Sequence, residues 1–274
     1  MAVTLADITK LRKMSGAGMM DCKSALEEAD SDFDKAMEII RKKGQAIAAK
    51  RSDRDAAEGC VLAMESGSFS AIVAVKCETD FVAKGADFIA MTQSFLDMAI
   101  AKKPADKETL LNATFNDGRT VTERITDRIG VTGEKMELGY YEFVSDTCTV
   151  SYIHPGNKLA TIVAFNKTVE RQVARDIAMQ VAAMNPVSIT PSDVPQKVID
   201  SEKEIARDKA RQAGKPENLL DKIAEGALQK FYKDSTLLQQ EFIKDSKITV
   251  DQYLKQQDKE LTVTAFKRVT LNVD

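Results

Sequence analysis

Apolar residues recur at helical spacing over the first part of the chain and at strand spacing soon afterwards. Leu5, Ile8 and Leu11 stand at three-residue steps, which predicts a helix with one apolar face. Ser15-Gly16-Ala17-Gly18 breaks it, and a second helix is predicted from about Met19 to Ala29. Asp30-Ser31-Asp32 offers caps for a third helix, which carries Phe33, Ala36, Met37 and Ile40 on one face. Gly44 is expected to end it, after the basic turn Arg41-Lys42-Lys43 that suits a helix C-terminus. A three-helix unit of this size is only marginally stable alone. Gln45 to Asp55 reads as a charged, alanine-rich connector with partial helicity.

From Ala56 the pattern changes. Gly59–Met64 and Ala71–Val75 flank Glu65-Ser66-Gly67-Ser68, which predicts an antiparallel hairpin. A helix is expected from Ala83 to Ile100, with Pro104 beyond it. Residues 106–129 predict two short helices separated by Asn116-Asp117-Gly118. Tyr140 to Ile153 then reads as one strand, His154-Pro155-Gly156-Asn157 as a turn, Leu159–Phe165 as a second strand and Glu170–Met184 as a helix.

These two stretches look like copies of one strand–strand–helix unit. Ala71-Ile72-Val73-Ala74-Val75 parallels Thr161-Ile162-Val163-Ala164-Phe165, and Phe88-Ile89-Ala90-Met91 parallels Asp176-Ile177-Ala178-Met179. The second copy carries Thr168-Val169-Glu170 where the first carries Thr79-Asp80-Phe81-Val82. The shared pattern therefore does not demand an Asp-Phe pair. Pro195 to Lys233 predicts a charged helical hairpin broken at Gly214-Lys215-Pro216. Its thin stripe of Ile199, Ala206, Ala210, Leu219, Ile223 and Ala227 suits either a two-helix arm or a pair lying on the core. Ser246–Leu254 predicts a short helix and Leu261–Val273 a last strand, so the fold class is α+β.

Composition narrows the function. The 274 residues carry a formal charge of −3, 6% aromatic residues and no tryptophan. There is no overall cationic field for nucleic acid and little material for stacking on bases, so no direct nucleic-acid partner is expected. Cys22, Cys60, Cys77 and Cys148 lack C-x-x-C spacing and have no histidine nearby in sequence, which predicts reduced thiols and no metal site. No apolar run approaches the roughly 18–20 residues of a membrane span. Met1-Ala2-Val3-Thr4, followed by Asp7 and Lys10, is no signal peptide, so the expected location is cytoplasmic. His154 is the sole histidine, which excludes histidine-dependent triads and dyads unless it takes part itself. The chain is therefore not expected to be an enzyme, and no cofactor is expected.

Gly16-Ala17-Gly18-Met19-Met20-Asp21-Cys22-Lys23-Ser24 superficially suggests a phosphate loop, but glycine is missing at Ala17 and Cys22 and no strand precedes it. Met19 and Met20 at the turn into the second helix form either one buried and one exposed side chain or an adaptable contact patch flanked by Arg12. Thr79-Asp80-Phe81-Val82 lies at a strand-to-helix turn and has two readings. It caps a helix and sends Phe81 into the core beside Phe88, or it presents a carboxylate and a ring to another molecule. His154 reads as a surface turn residue.

Two long stretches resemble the signatures of one family. Leu11-Arg12-Lys13-Met14-Ser15-Gly16-Ala17-Gly18-Met19-Met20-Asp21-Cys22-Lys23-Ser24-Ala25-Leu26 is similar to the N-terminal signature of bacterial elongation factor Ts, and Cys77-Glu78-Thr79-Asp80-Phe81-Val82-Ala83 to its second signature. That family exchanges guanine nucleotides on elongation factor Tu. The resemblance implies a ubiquitin-associated-like three-helix domain with its linker over 1–55. A core of two related subdomains follows, 56–139 and 140–274, with a protruding antiparallel helical hairpin at about 195–233. It also implies that Thr79, Asp80, Phe81 and Val82 enter the GTPase domain near its magnesium site, with Phe81 as a wedge that dislodges the ion. Arg12, Met19 and Met20 match positions that touch the same GTPase domain, and His154 matches one near its phosphate loop. The partner would be met in its GDP-bound and nucleotide-free states, and the helical hairpin is left open to pairing with another copy. Many members continue past the last strand into a C-terminal helix; here the chain stops at Asn272-Val273-Asp274, so that contact is expected to be missing. The rival reading is a non-catalytic ubiquitin-associated-domain adaptor whose three-helix domain recruits ubiquitin-like or other helical partners.

Overall fold

The computed structural model describes residues 3–272 and is a mixed α+β fold with small sheets. Contacts divide the chain into two compact units. The first comprises the chain up to Leu62, Ile72–Glu142 and the residues from Thr270; the second comprises Ala63–Ala71 and Phe143–Val269.

In the first unit, α1 (Leu5–Ser15) starts at a capping box between Thr4 and Asp7 and stops at Gly16, whose φ of 71° is left-handed. α2 (Met19–Glu28) and α3 (Phe33–Arg51) follow, the latter capped by the Asp32 carboxylate, which accepts from the Asp34 and Lys35 amides. Ile8, Leu11, Cys22, Leu26 and Ala36 form their common core, with Phe33, Met37 and Ile40 packed against it. Leu5 does not join this face as expected: it is 68% exposed. A three-residue step turns about 300° around a helix, so each residue lags the last by about 60°. The stripe drifts off the core at both ends, leaving Leu5 and Met14 (52%) outside.

β1 (Glu58–Ser66) and β2 (Phe69–Cys77) are joined at Gly67-Ser68, with Gly67 at φ 62°, which forms the expected hairpin. The expected helix from Ala83 is instead two elements, α4 (Asp80–Ala83) and α5 (Ala86–Lys102). The chain resets at Gly85, which is extended (φ −64°, ψ 132°) and whose carbonyl starts α5 by accepting from Phe88 and Ile89. α6 (Lys107–Leu111) and α7 (Val121–Thr132) are the two short helices foreseen around Asn116-Asp117-Gly118. β3 (Met136–Ser145) completes a sheet of order β1-β2-β3.

Gly44 does not end α3, which runs on to Arg51. It is buried, and it faces Gly130 of α7: a Cβ at Gly130 would lie 2.8 Å from Gly44 Cα. The two glycines let the backbones of α3 and α7 cross closely. Glycine here serves packing rather than termination, and the helix pays only its modest propensity penalty.

In the second unit, β4 (Cys148–Ile153) pairs antiparallel with β5 (Leu159–Phe165), from Cys148↔Phe165 to Ile153↔Ala160. The strand expected over Tyr140–Ile153 is thus two strands in two sheets, interrupted at Asp146-Thr147. There the Asp146 amide donates to Ser68 O (3.0 Å) and the Thr149 amide to Gly67 O (3.1 Å), so hairpin-tip carbonyls replace strand partners. α8 (Arg171–Met184) is capped by the Glu170 carboxylate, which accepts from the Val173 amide at 3.1 Å.

α9 (Gln196–Gln212) and α10 (Leu220–Ser235) pack together on either side of the break at Gly214-Lys215-Pro216. Ala206 and Ala210 are buried as expected, but on α10 the buried stripe is Leu220, Ala224 and Leu228. The expected stripe of Leu219, Ile223 and Ala227 is one residue out of phase. Leu219 belongs to a preceding 3-10 turn, Glu217–Leu219, which shifts the helical register. β6 (Glu241–Phe242), β7 (Asp245–Thr249) and α11 (Val250–Gln257) occupy the stretch where a helix from Ser246 was expected. Thr249 and Gln252 form a capping box that starts α11 four residues later. Buried Asp176 of α8 accepts from Lys244 Nζ (2.7 Å), Tyr253 Oη (3.1 Å) and Gln172 Nε2 (2.6 Å), fixing this segment to α8. β8 (Val263–Thr270) closes the sheet of order β4-β5-β8; Val273 of the expected strand lies outside the described residues.

Candidate functional site

Thr79 is the junction between β2 and α4, and all its polar atoms are engaged. Its amide donates to Glu134 Oε2 (3.1 Å) and its hydroxyl to Glu134 Oε1 (2.6 Å). The same hydroxyl accepts from the Val82 amide (3.4 Å), making Thr79 the N-cap of α4. Its carbonyl accepts from Cys77 Sγ (3.3 Å) and the Ala83 amide (3.1 Å). Next to it, Glu78 accepts from the Lys135 amide (2.7 Å) and Arg54 Nη1 (3.0 Å), while Lys135 Nζ donates to Arg54 O (2.7 Å). The Lys135 amide, helped by Arg54, holds the Glu78 carboxyl below the usual carboxylate range.

On this braced turn Phe81 is 86% exposed. The core position belongs to Phe88, which is fully buried, so the capping part of the alternative reading holds for Thr79 and the burial part fails for Phe81. A nearly bare ring is the kind of apolar surface that marks an interaction site when it is held in place. Asp80 and Val82 are half-buried beside it. Asp80 Oδ2 accepts from Lys84 Nζ at 2.7 Å, and this hydrogen bond lowers the Asp80 carboxyl below its ordinary 3.8. Because the folded value is depressed, the pair's contribution is complete above the unfolded pKa and disappears as pH falls through the folded one. Asp80 therefore stays ionised between about pH 6 and 8. A carboxyl-carbon NMR titration should place its midpoint below 3.8; a midpoint at or above that value would contradict the Lys84 contact.

Arg12 lies exposed in the last turn of α1, and its carbonyl accepts from the Gly16 amide (2.8 Å). Met19 and Met20 open α2, and both are exposed, at 44% and 74%. Of the two readings, one buried and one exposed side chain or an exposed pair, both methionines lie on the surface. His154, in the second unit, is exposed at the β4–β5 turn with Nδ1 3.0 Å from Tyr152 Oη. Thr79–Val82 form one contiguous site, whereas Arg12, Met19 and Met20 belong to the α1–α2 corner.

A cleft of about 540 Å³ lies among α3, α5 and α7. Three of its guanidinium groups meet carboxylates, Arg119 with Asp127 (2.7 Å), Arg124 with Asp117 (2.9 Å) and Arg128 with Asp87 (3.5 Å), so these cations are largely matched. Among the described residues no cluster of His, Cys, Asp and Glu is arranged to hold a metal ion. No helix among the described residues is long and apolar enough to cross a membrane.

The family model described as Elongation factor TS matches residues 78–272. Elongation factor Ts of Porphyromonas gingivalis is 68% identical over 274 residues, covering 100% of both chains. The chain belongs to the elongation factor Ts family. The proteins of that name from Azobacteroides pseudotrichonymphae and Christiangramia forsetii are 56% and 48% identical, covering 100% and 98% of this chain and the same shares of their own. The chain is thus a translation elongation factor, as the resemblance implied. The family match begins at Glu78, the first residue of the braced turn. Sequence reasoning missed Arg54, Lys135 and Glu134 at this site, because they reach the turn only through the fold.

Proposed function

We propose that this chain binds elongation factor Tu, in its GDP-bound and nucleotide-free states, and promotes GDP release and GTP uptake. The turn Thr79-Asp80-Phe81-Val82 enters near the magnesium site of the partner, and Phe81 acts as a wedge that dislodges the ion. The observation that carries this reading is the exposure of Phe81 on a turn whose backbone is tied down. Arg12, Met19 and Met20 add contacts to the same partner, and His154 adds one from the second unit.

Burying a phenylalanine side chain gains roughly 1.5–3 kcal/mol. Losing magnesium removes the main counter-charge of the nucleotide phosphates. A coupling of about 3 kcal/mol between the two events weakens nucleotide binding by roughly 150-fold. Coupling is reciprocal, so returning GTP ejects the factor. The final nucleotide equilibrium is unchanged, and no covalent bond is made or broken.

On this reading the chain works in the cytoplasm and divides into a ubiquitin-associated-like domain with linker (1–55) and two related subdomains (56–139 and 140–274). The separate core of α1–α3 supports the first part. The wholly buried strands Ala71–Val75 and Thr161–Phe165, each leading to a buried helix face, support an internal duplication. The packed pair α9–α10 forms the helical hairpin of about 195–233. The first copy differs by inserting α4 before its long helix, where the second caps α8 directly with Glu170.

The test is to mix the protein with elongation factor Tu loaded with fluorescent GDP and follow nucleotide release. Acceleration by catalytic amounts of the chain is expected. Stable binding without acceleration would favour the adaptor reading.

A further inference from the structure

We propose that Glu134 is a positioning residue for exchange, acting through Thr79 to fix the direction in which Phe81 is presented. The proposal rests on the insertion reading above.

α4 is four residues long, Asp80–Ala83. A single helical turn is not stable by itself, because nucleation orders several residues for very few hydrogen bonds. The direction of Phe81 must therefore be set from outside α4. The ring cannot set it, being almost wholly exposed. Lys84 cannot anchor it, since its pair with Asp80 is local and its own side chain is 75% exposed. Ala83 packs inward and holds the far end of the turn; at the near end the cap residue Thr79 is gripped by both oxygens of one carboxylate, at 3.1 and 2.6 Å, from 55 residues away. Hydrogen bonds to an ionised acceptor are the stronger kind.

The carboxylate is itself delivered by a defined structure. α7 ends at Gly133, left-handed at φ 73°, and the Gly133 amide donates to Ile129 O (2.8 Å). The Glu134 amide donates to Thr132 Oγ1 (3.3 Å). The next residue, Lys135, is held in turn by Glu78 through its amide. The brace is reciprocal: Glu134 grips residue 79 while Glu78 grips residue 135. Phe81 is presented by a turn cross-linked to the end of α7, and its ring meets the partner without first having to be ordered.

Four variants test this with GDP-loaded elongation factor Tu: Glu134→Ala, Glu134→Gln, Phe81→Ala and the Glu134→Ala/Phe81→Ala double. The readouts are the maximal GDP-release rate at saturating factor and the half-saturating concentration. Glu134→Ala should lower the maximal rate about 10-fold and move the half-saturating concentration much less. Glu134→Gln should recover most of the rate, since its amide oxygen accepts from the Thr79 amide and its NH2 donates to the Thr79 hydroxyl. In the Phe81→Ala background, Glu134→Ala should add no further loss. A wild-type maximal rate for Glu134→Ala, with Phe81→Ala slow, would overturn the positioning role and leave the insertion reading standing. A full additional loss in the double variant would also overturn it. A wild-type rate for Phe81→Ala would overturn the insertion reading itself and this proposal with it. Should Glu134→Ala fail to fold, Glu134→Asp, which draws the carboxylate back from Thr79 and leaves the Thr79 cap on the Val82 amide in place, takes its place: a lowered maximal rate supports the proposal and an unchanged one overturns it.

Discussion

Replacing Phe81 with alanine should slow factor-stimulated GDP release by about 10- to 150-fold, the range that 1.5–3 kcal/mol of lost ring burial represents. The folded chain should hardly notice. The ring is 86% exposed, so its removal leaves no cavity and strips no core contact. Surface changes of this kind usually stay within about 0.5 kcal/mol of the starting stability. Thr79 should still cap α4, because the bonds to Glu134 and Val82 do not involve the ring. The expected signature is therefore an unchanged melting temperature with a large loss of exchange. Phe81→Leu, which keeps apolar bulk, should fall between alanine and wild type. A matched loss of stability and activity would instead mean that Phe81 supports the fold.

The second large effect is expected on stability. Gly130→Val should cost about 3 kcal/mol, at the upper end of overpacking penalties, and lower the melting temperature by about 6–12 °C. Even the first added carbon would lie 2.8 Å from Gly44 Cα, and a backbone atom cannot rotate away. Gly44→Ala is the informative contrast. Its Cβ would meet Thr126 O at 3.4 Å and Gly130 Cα at 3.5 Å, tight but tolerable. Alanine also improves helix propensity by about 1 kcal/mol over glycine, so the net change should be near zero. Thermal unfolding of both variants checks the crossing of α3 over α7. Equal melting temperatures for Gly130→Val and wild type would mean that the two helices do not meet there.

The pattern of apolar positions was enough to find the two hairpins, most of the helices and the α+β class, because each depends on residues close in sequence. It failed where a distant partner decides. Gly44 carries the local signs of a helix end, including the basic turn before it, and only Gly130 explains why α3 continues. Leu5 is apolar and correctly spaced from Ile8, yet the drift of a three-residue step carries it off the core. On α10 a preceding 3-10 turn moved the apolar stripe by one residue. At the site, the strand-to-helix turn and its threonine cap were legible, but whether Phe81 enters the core was not. Capping works equally well with the ring inside or outside, and it is Phe88 that occupies the buried position. Glu134 was invisible for the same reason as Gly130, since nothing local links it to Thr79.

If Phe81 acts on the magnesium site, its effect on GDP release must depend on the ion. Release of fluorescent GDP from elongation factor Tu is followed with saturating wild-type or Phe81→Ala factor, in millimolar magnesium and again in excess chelator. A deficit of at least about 10-fold is expected for Phe81→Ala in magnesium, shrinking towards parity once the ion has been removed. A deficit of the same size in both conditions, or none in either, would contradict action at the magnesium site.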